Sequence, residues 1–140
     1  MAVALRIAAV KILALDYGRA RTGVAISDPT GIVARPVGVV RRAAGSDGLA
    51  ELARLVDENG VDRVVVGMPL TLRGDRGEQA RETESFVEAL TARIAVPVVT
   101  FDERFTTDLA EQSRARSDED ARAAAHLLSS YLEWTSSARA

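Results

Sequence analysis

Four carboxylates stand where the chain changes character. Asp16 ends the apolar run KILAL, the Asp102-Glu103 pair ends VPVVTF, and Asp120 opens an alanine-rich stretch, DARAAAHLL. In open α/β sheets, sites gather in the crevice beyond the carboxyl ends of the strands, which is where Asp16 and Glu103 fall. Counting from Asp120 at helical spacing meets Ala123, Ala124, Leu127 and Tyr131. Asp120 therefore heads the face that packs on the sheet, while Asp118 and Glu119 point elsewhere. Three carboxylates aimed at one place repel and raise one another's pKa unless a cation joins them. Mg²⁺ or Mn²⁺ takes oxygen ligands and leaves room for water and phosphate. Two such ions about 4 Å apart stabilise both the attacking and the leaving oxygen of a phosphodiester under hydrolysis.

Read singly, each acid also has a structural explanation. Asp16 before Tyr17-Gly18 suits a turn. Asp120 is the fourth residue of a Ser-x-x-Asp helix start. Glu103 can pair with Arg104 or another arginine. Carboxylate spacing alone does not choose between these readings and a site.

The elements that must position the acids follow from the apolar pattern. Val10–Tyr17, Arg21–Asp28 and Gly31–Arg42 read as three strands joined by tight turns at Gly18–Ala20 and Pro29–Thr30, so antiparallel neighbours are expected. Ser46 is expected to cap a helix through about Asn59, with Leu49, Leu52, Ala53 and Val56 on one face and Gly60 as its stop. Arg63–Val66 reads as a strand buried on both faces. A glycine-rich loop, GMPLTLRGDRG, precedes a helix over Glu78–Ile94. Pro97–Phe101 reads as another short buried strand. Thr106 or Thr107 should cap a helix through about Arg116, and Ser117 a last one over roughly Asp118–Ser136. The expectation is a single α/β domain over residues 1–140, with a mixed sheet and helices on its faces.

Composition limits the rest. A chain of 140 residues, 47% hydrophobic and 27% charged, has the balance of a globular protein. It has no cysteine, which excludes thiol catalysis and zinc-cysteine sites and suits a reducing cytoplasm. The opening MAVALRIAAV is broken by Arg6 and reads as a leader into a strand, not a signal peptide. No apolar run reaches membrane length, so no membrane association is expected. The net charge of −2 is unusual for a nucleic-acid binder. The distribution is more telling: Lys11 is the only lysine among 18 cations. Arginine is the cation suited to bidentate phosphate contact. Arg19, Arg21, Arg73, Arg76 and Arg104 lie in loops beside the acids and are the candidate backbone contacts, with solvated surface as their alternative. Tyr17 and Phe105 could stack on a base, with ordinary packing favoured. His126 shares a helix face with Arg122, Ser129, Ser130 and Glu133 and reads as a solvated surface residue.

The surrounding words carry a resemblance. LALDYGRARTGVAISDPTGIVARPV, VVVGMPLTLRGDRG, FDERFTT and DARAAAHLLSSYLE, in that order, resemble the four motifs of the YqgF/RuvX family of RNase H-like nucleases. The likeness runs from about Val10 to about Glu133. It implies a five-stranded mixed sheet, three strands antiparallel and then two parallel, with helices on both faces. It also implies that Asp16, Glu103 and Asp120 are the catalytic, metal-binding acids, with Asp102 a less certain fourth ligand, and that two Mg²⁺ or Mn²⁺ ions serve them. The segment from Thr107 to Asp120 is shorter than in typical members. The activity implied is metal-dependent endonucleolytic cutting of structured nucleic acid. Holliday junction resolution in DNA repair stands first, and it would call for a homodimer because two strands are cut symmetrically. Maturation of the 5′ end of precursor 16S rRNA is the alternative. A non-catalytic nucleic-acid-binding domain and a fragment of a sugar-kinase-type ATPase are the competing classes. Retention of the acids speaks against the first, and the short chain against the second.

Overall fold

The computed structural model of the chain describes residues 10–28, 30, 33–70, 77–103 and 116–139. Along it run strands β1 (Ile12–Asp16), β2 (Arg21–Ser27) and β3 (Ala34–Arg41), helix α1 (Ser46–Asn59), strand β4 (Arg63–Met68), helix α2 (Glu78–Thr91), strand β5 (Val98–Asp102) and helix α3 (Arg116–Arg139). The sheet order is β3-β2-β1-β4-β5. The first three strands pair antiparallel, and β1–β4 and β4–β5 pair parallel. This is the mixed sheet that the strand pattern and the family resemblance implied.

Alternation along the strands builds two cores. On one face Leu13, Leu15, Val24, Ile26, Val64 and Val66 pack against Leu49, Leu52 and Val56 of α1 and Phe86 and Leu90 of α2. On the other, Ile12, Ala14, Ala25, Val65 and Phe101 meet Ala124, Leu127, Leu128 and Tyr131 of α3. Each fully buried Leu, Val or Phe contributes about 1.5–3 kcal/mol of transfer free energy, so each helix is fixed by the few residues it buries. Helices therefore lie on both faces, as expected.

Several boundaries differ from the sequence reading, each for a physical reason. Ser46 is not a cap: Gly45 holds the N-cap position of α1, and no side-chain oxygen bonds into the first turn. Gly60 does stop α1, its N–H returning to Asp57. Helix α2 ends at Thr91 rather than Ile94. Ile94 still donates its N–H to the Leu90 carbonyl and packs on the core, so its apolar signal was real while its conformation is a turn. Helix α3 runs from Arg116, so Ser117 lies within it rather than ahead of it. Strand β5 is less buried than expected because it is a sheet edge: Phe101 is buried, but Thr100 is exposed. Pro36 sits on the other edge strand, β3, where a missing N–H is tolerated, next to a register shift at Val24/Ala25. His126 is half-buried rather than solvated. The helix expected from Thr106 or Thr107 falls on residues outside those described, as does Phe105.

One contact fixes α3 over the sheet. A Cβ at Gly23 of β2 would run into the backbone carbonyl of Asp120, within α3. Only a residue without a side chain lets the helix approach this closely. We expect Gly23→Ala to lower the unfolding free energy by about 2–3 kcal/mol, the range for overpacking a tight contact. Gly77→Ala, where nothing lies within 4 Å of the added carbon, should cost less than about 1 kcal/mol. Urea unfolding of both variants checks this, and equal losses would mean the helix is not held at Gly23.

Candidate active site

The strand alternation that builds the two cores also aims the acids. Asp16 follows Ile12 and Ala14 at even spacing and so faces α3 from the end of β1. Glu103 stands two residues beyond Phe101, which packs on the same face from β5. Gly67 of β4 lies between them: a Cβ there would come within 2.6 Å of the Glu103 carboxyl, so a glycine is what makes room for this side chain. Asp120 enters from the second turn of α3, set down by Gly23. Three acids from three separated stretches of sequence thus line one cleft of about 670 Å³ at the carboxyl end of the parallel strands.

The electrostatics are those of a site short of positive charge. Glu103 is pushed up to about 8, first by burial, then by the charge of Asp16 and by a hydrogen bond to it. Asp16 is also raised, by burial above all and further by the charge of Asp120, while its bond from Glu103 pulls it down. At neutral pH the protonated Glu103 therefore donates to the Asp16 carboxylate, and the pair titrates as a unit. Asp120 instead approaches an arginine. Its Oδ2 lies 3.2 Å from Arg21 Nε. The atom is buried and has no hydrogen-bond partner, so this contact is an ion pair without the alignment of a hydrogen bond.

This donor set fits a divalent cation. It consists of oxygens only, one of them buried without a donor, and two carboxyls that must share a proton for want of a cation. Among the described residues no three such groups already surround a common point. The reason is visible: Asp120 is drawn to Arg21 while Asp16 and Glu103 close on each other. Asp102 is not among the residues lining the cleft. Alternation turns it to the opposite side of β5, and its charge reaches the site only by raising Glu103 further.

Of the candidate cations, Arg19 and Arg21 line the cleft. Arg19 forms an ion pair with Glu82 of α2. Arg73, Arg76 and Arg104 lie outside the described residues. The sequence reading missed the far wall of the cleft, which is α2: Glu78, Gln79, Glu82 and Thr83. Thr83 carried a signal, since it falls on the buried stripe with Ala80, Phe86 and Leu90. Glu82 carried none, because an acid at that spacing reads as solvated surface. Tyr17 is packed, stacking on Phe86 with ring centroids 4.4 Å apart.

A sheet of this order, with acids at the ends of its first and last strands and at the head of the last helix, defines an RNase H-like domain of the nuclease type. Comparison with known proteins narrows it. The chain belongs to the family described as RuvX: Holliday junction resolvase, which matches residues 10–134. A relative from Chloroflexus aurantiacus is 41% identical over 131 residues, 87% of this chain and 86% of its own length. One from Desulforudis audaxviator is 38% identical over 138 residues, 92% and 98% of the two chains. Both carry, as a provisional name, pre-16S rRNA nuclease. Among solved structures the fold is similar to Thermus thermophilus RuvC in complex with Holliday junction substrate, with TM-score 0.62, 15% identity, and 90% and 95% of the two chains covered. It is also similar to a fowlpox virus resolvase in complex with junction DNA, with TM-score 0.53, 13% identity, and 90% and 99% covered. The likeness in fold covers nearly the whole of each chain.

The raised acids set a pH dependence. Between about 4.5 and 8 the folded protein keeps a proton on Glu103 that the unfolded chain releases. Stability without metal should therefore fall as pH rises through that window and level off above it. Asp16, shifted in the same direction, adds to the fall from its lower starting value. Urea unfolding in EDTA across this range should show the slope, Glu103→Gln should flatten it, and Mg²⁺ should restore stability at the alkaline end. A flat native profile would mean that the pair is not buried as described.

Proposed function

We propose that Asp16, Glu103 and Asp120 are the catalytic acids of a divalent-metal-dependent endonuclease acting on structured nucleic acid, with a Holliday junction as the leading substrate. The observation that carries this is their convergence in one cleft from β1, from the end of β5 and from α3. Packing sets where these three positions meet, but it calls for no carboxylates there, and they come at the cost of a shared proton and a buried oxygen without a hydrogen-bond donor.

The chain's own residues have separable tasks. Asp16, at the end of the central β1, is the most rigidly placed ligand, and Glu103 gives up its proton to become the second. Asp120 would be the third ligand to a bound cation, and Arg21, its present partner, would then be available to a phosphate. Two Mg²⁺ or Mn²⁺ ions, when bound, supply an activated water and neutralise charge on the attacking and leaving oxygens. Arg19 and Arg21 orient the phosphodiester through charge-assisted hydrogen bonds. Asp102 belongs outside the ligand set.

The names of the relatives support maturation of precursor 16S rRNA as a second reading, served by the same residues and the same chemistry. For the junction reading we propose a homodimer, since two symmetric cuts need two sites. Among the described residues no helix is long and apolar enough to cross a membrane. The composition supports the cytoplasm as the place of action.

A labelled four-way DNA junction and a precursor 16S rRNA fragment, each with Mg²⁺, Mn²⁺ or EDTA, test these readings. Native protein should cut at least one of them in a metal-dependent way. Asp16→Asn should reduce cutting by roughly a thousandfold or more while binding survives. Cutting of RNA alone would move the function to ribosome maturation. Undiminished cutting by Asp16→Asn would remove the acids from the mechanism.

A further inference from the structure

Both arginines that line the cleft are already engaged by carboxylates: Arg21 by Asp120, and Arg19 by Glu82 across the opening. The second pair is the less expected. Asp120 has a task in the site, whereas Glu82 has none in the chemistry proposed above. Nor does Glu82 serve its own helix. One turn before it stands Glu78, a like charge that mildly disfavours α2, and one turn after it stands Phe86. Among the described residues its ion-pair partner is Arg19, 63 residues away on the turn after β1. The charge of Glu82 is felt inside the cleft, where it adds to burial in raising the Tyr17 phenol.

A carboxylate on a guanidinium and a phosphate on a guanidinium use the same donors and the same forked geometry. The Arg19 side chain is 78% exposed, and exposed pairs are weak, so this contact is easily exchanged for another anion. Resting on the nuclease reading above, we infer that Glu82 is a specificity-determining residue. Its carboxylate occupies on Arg19 the place of a substrate phosphate, so the cleft admits a nucleic-acid backbone only where phosphate displaces it. The arrangement favours polyanions with closely spaced phosphates over lone anions, which cannot recover the loss of the internal pair.

Anisotropy of a fluorescein-labelled four-way DNA junction, and of a labelled precursor rRNA fragment, with Ca²⁺ in place of Mg²⁺, reads affinity without depending on cutting. Glu82→Gln should tighten binding roughly two- to fivefold, and Arg19→Gln should weaken it by a similar factor. In the Arg19→Gln background, Glu82→Gln should change nothing, because its effect runs through Arg19. An equal gain in that background would mean general charge repulsion and overturn the inference. So would native binding that does not respond to Glu82→Gln. If native and variant chains alike bound neither probe, the nucleic-acid reading itself would fall with it.

Discussion

The close approach of α3 to the sheet is the contact on which the rest of the site depends. It is made by residues with almost no side chain. Gly23 lets the Asp120 backbone lie against β2, and Ala14 and Ala25 keep that face of the sheet low beneath Ala124, Leu127 and Leu128. A larger residue at any of these positions would lift the helix and carry Asp120 away from Asp16. Packing, not electrostatics, brings the third acid in. The electrostatic cost follows from that packing and is met locally by a shared proton and by Arg21.

That cost explains the two postures of the acids. Buried like charges cannot all ionise together without a counter-ion. Here two different remedies operate side by side. Asp16 and Glu103 keep a proton between them, and Asp120 takes an arginine. Both arrangements are ones that a divalent cation could replace. The same logic extends to the mouth, where Arg19 is held by Glu82. Asp16, Glu103, Asp120, Arg19 and Arg21 thus each have a provisional partner in the cleft.

Gly67 makes a related point about the VVVGMP run. In the sequence it reads as the first glycine of the glycine-rich loop GMPLTLRGDRG. In the fold it is the last alternating position of β4 on the α3 face, and its missing side chain is the space that the Glu103 carboxyl occupies. Its requirement is steric and belongs to the acid, not to a phosphate.

The sequence by itself determined the strands, the helices and the sheet's two faces, because apolar alternation and helical spacing are local and leave their period in the chain. It offered Asp16, Glu103 and Asp120 as candidates by their place at element ends, and the family resemblance rather than their spacing set them above a structural reading. It misjudged the cap of α1, the start of α3 and the burial of β5, because caps and edges depend on what lies beside an element rather than within it. Which acids share a proton, which one takes Arg21, why Asp102 turns away and why α2 forms the far wall were decided by tertiary structure alone. Those outcomes rest on contacts between residues as far apart as Arg19 and Glu82, or Gly23 and Asp120. No local pattern encodes them, because the distance between such residues is set only when both cores close on the sheet.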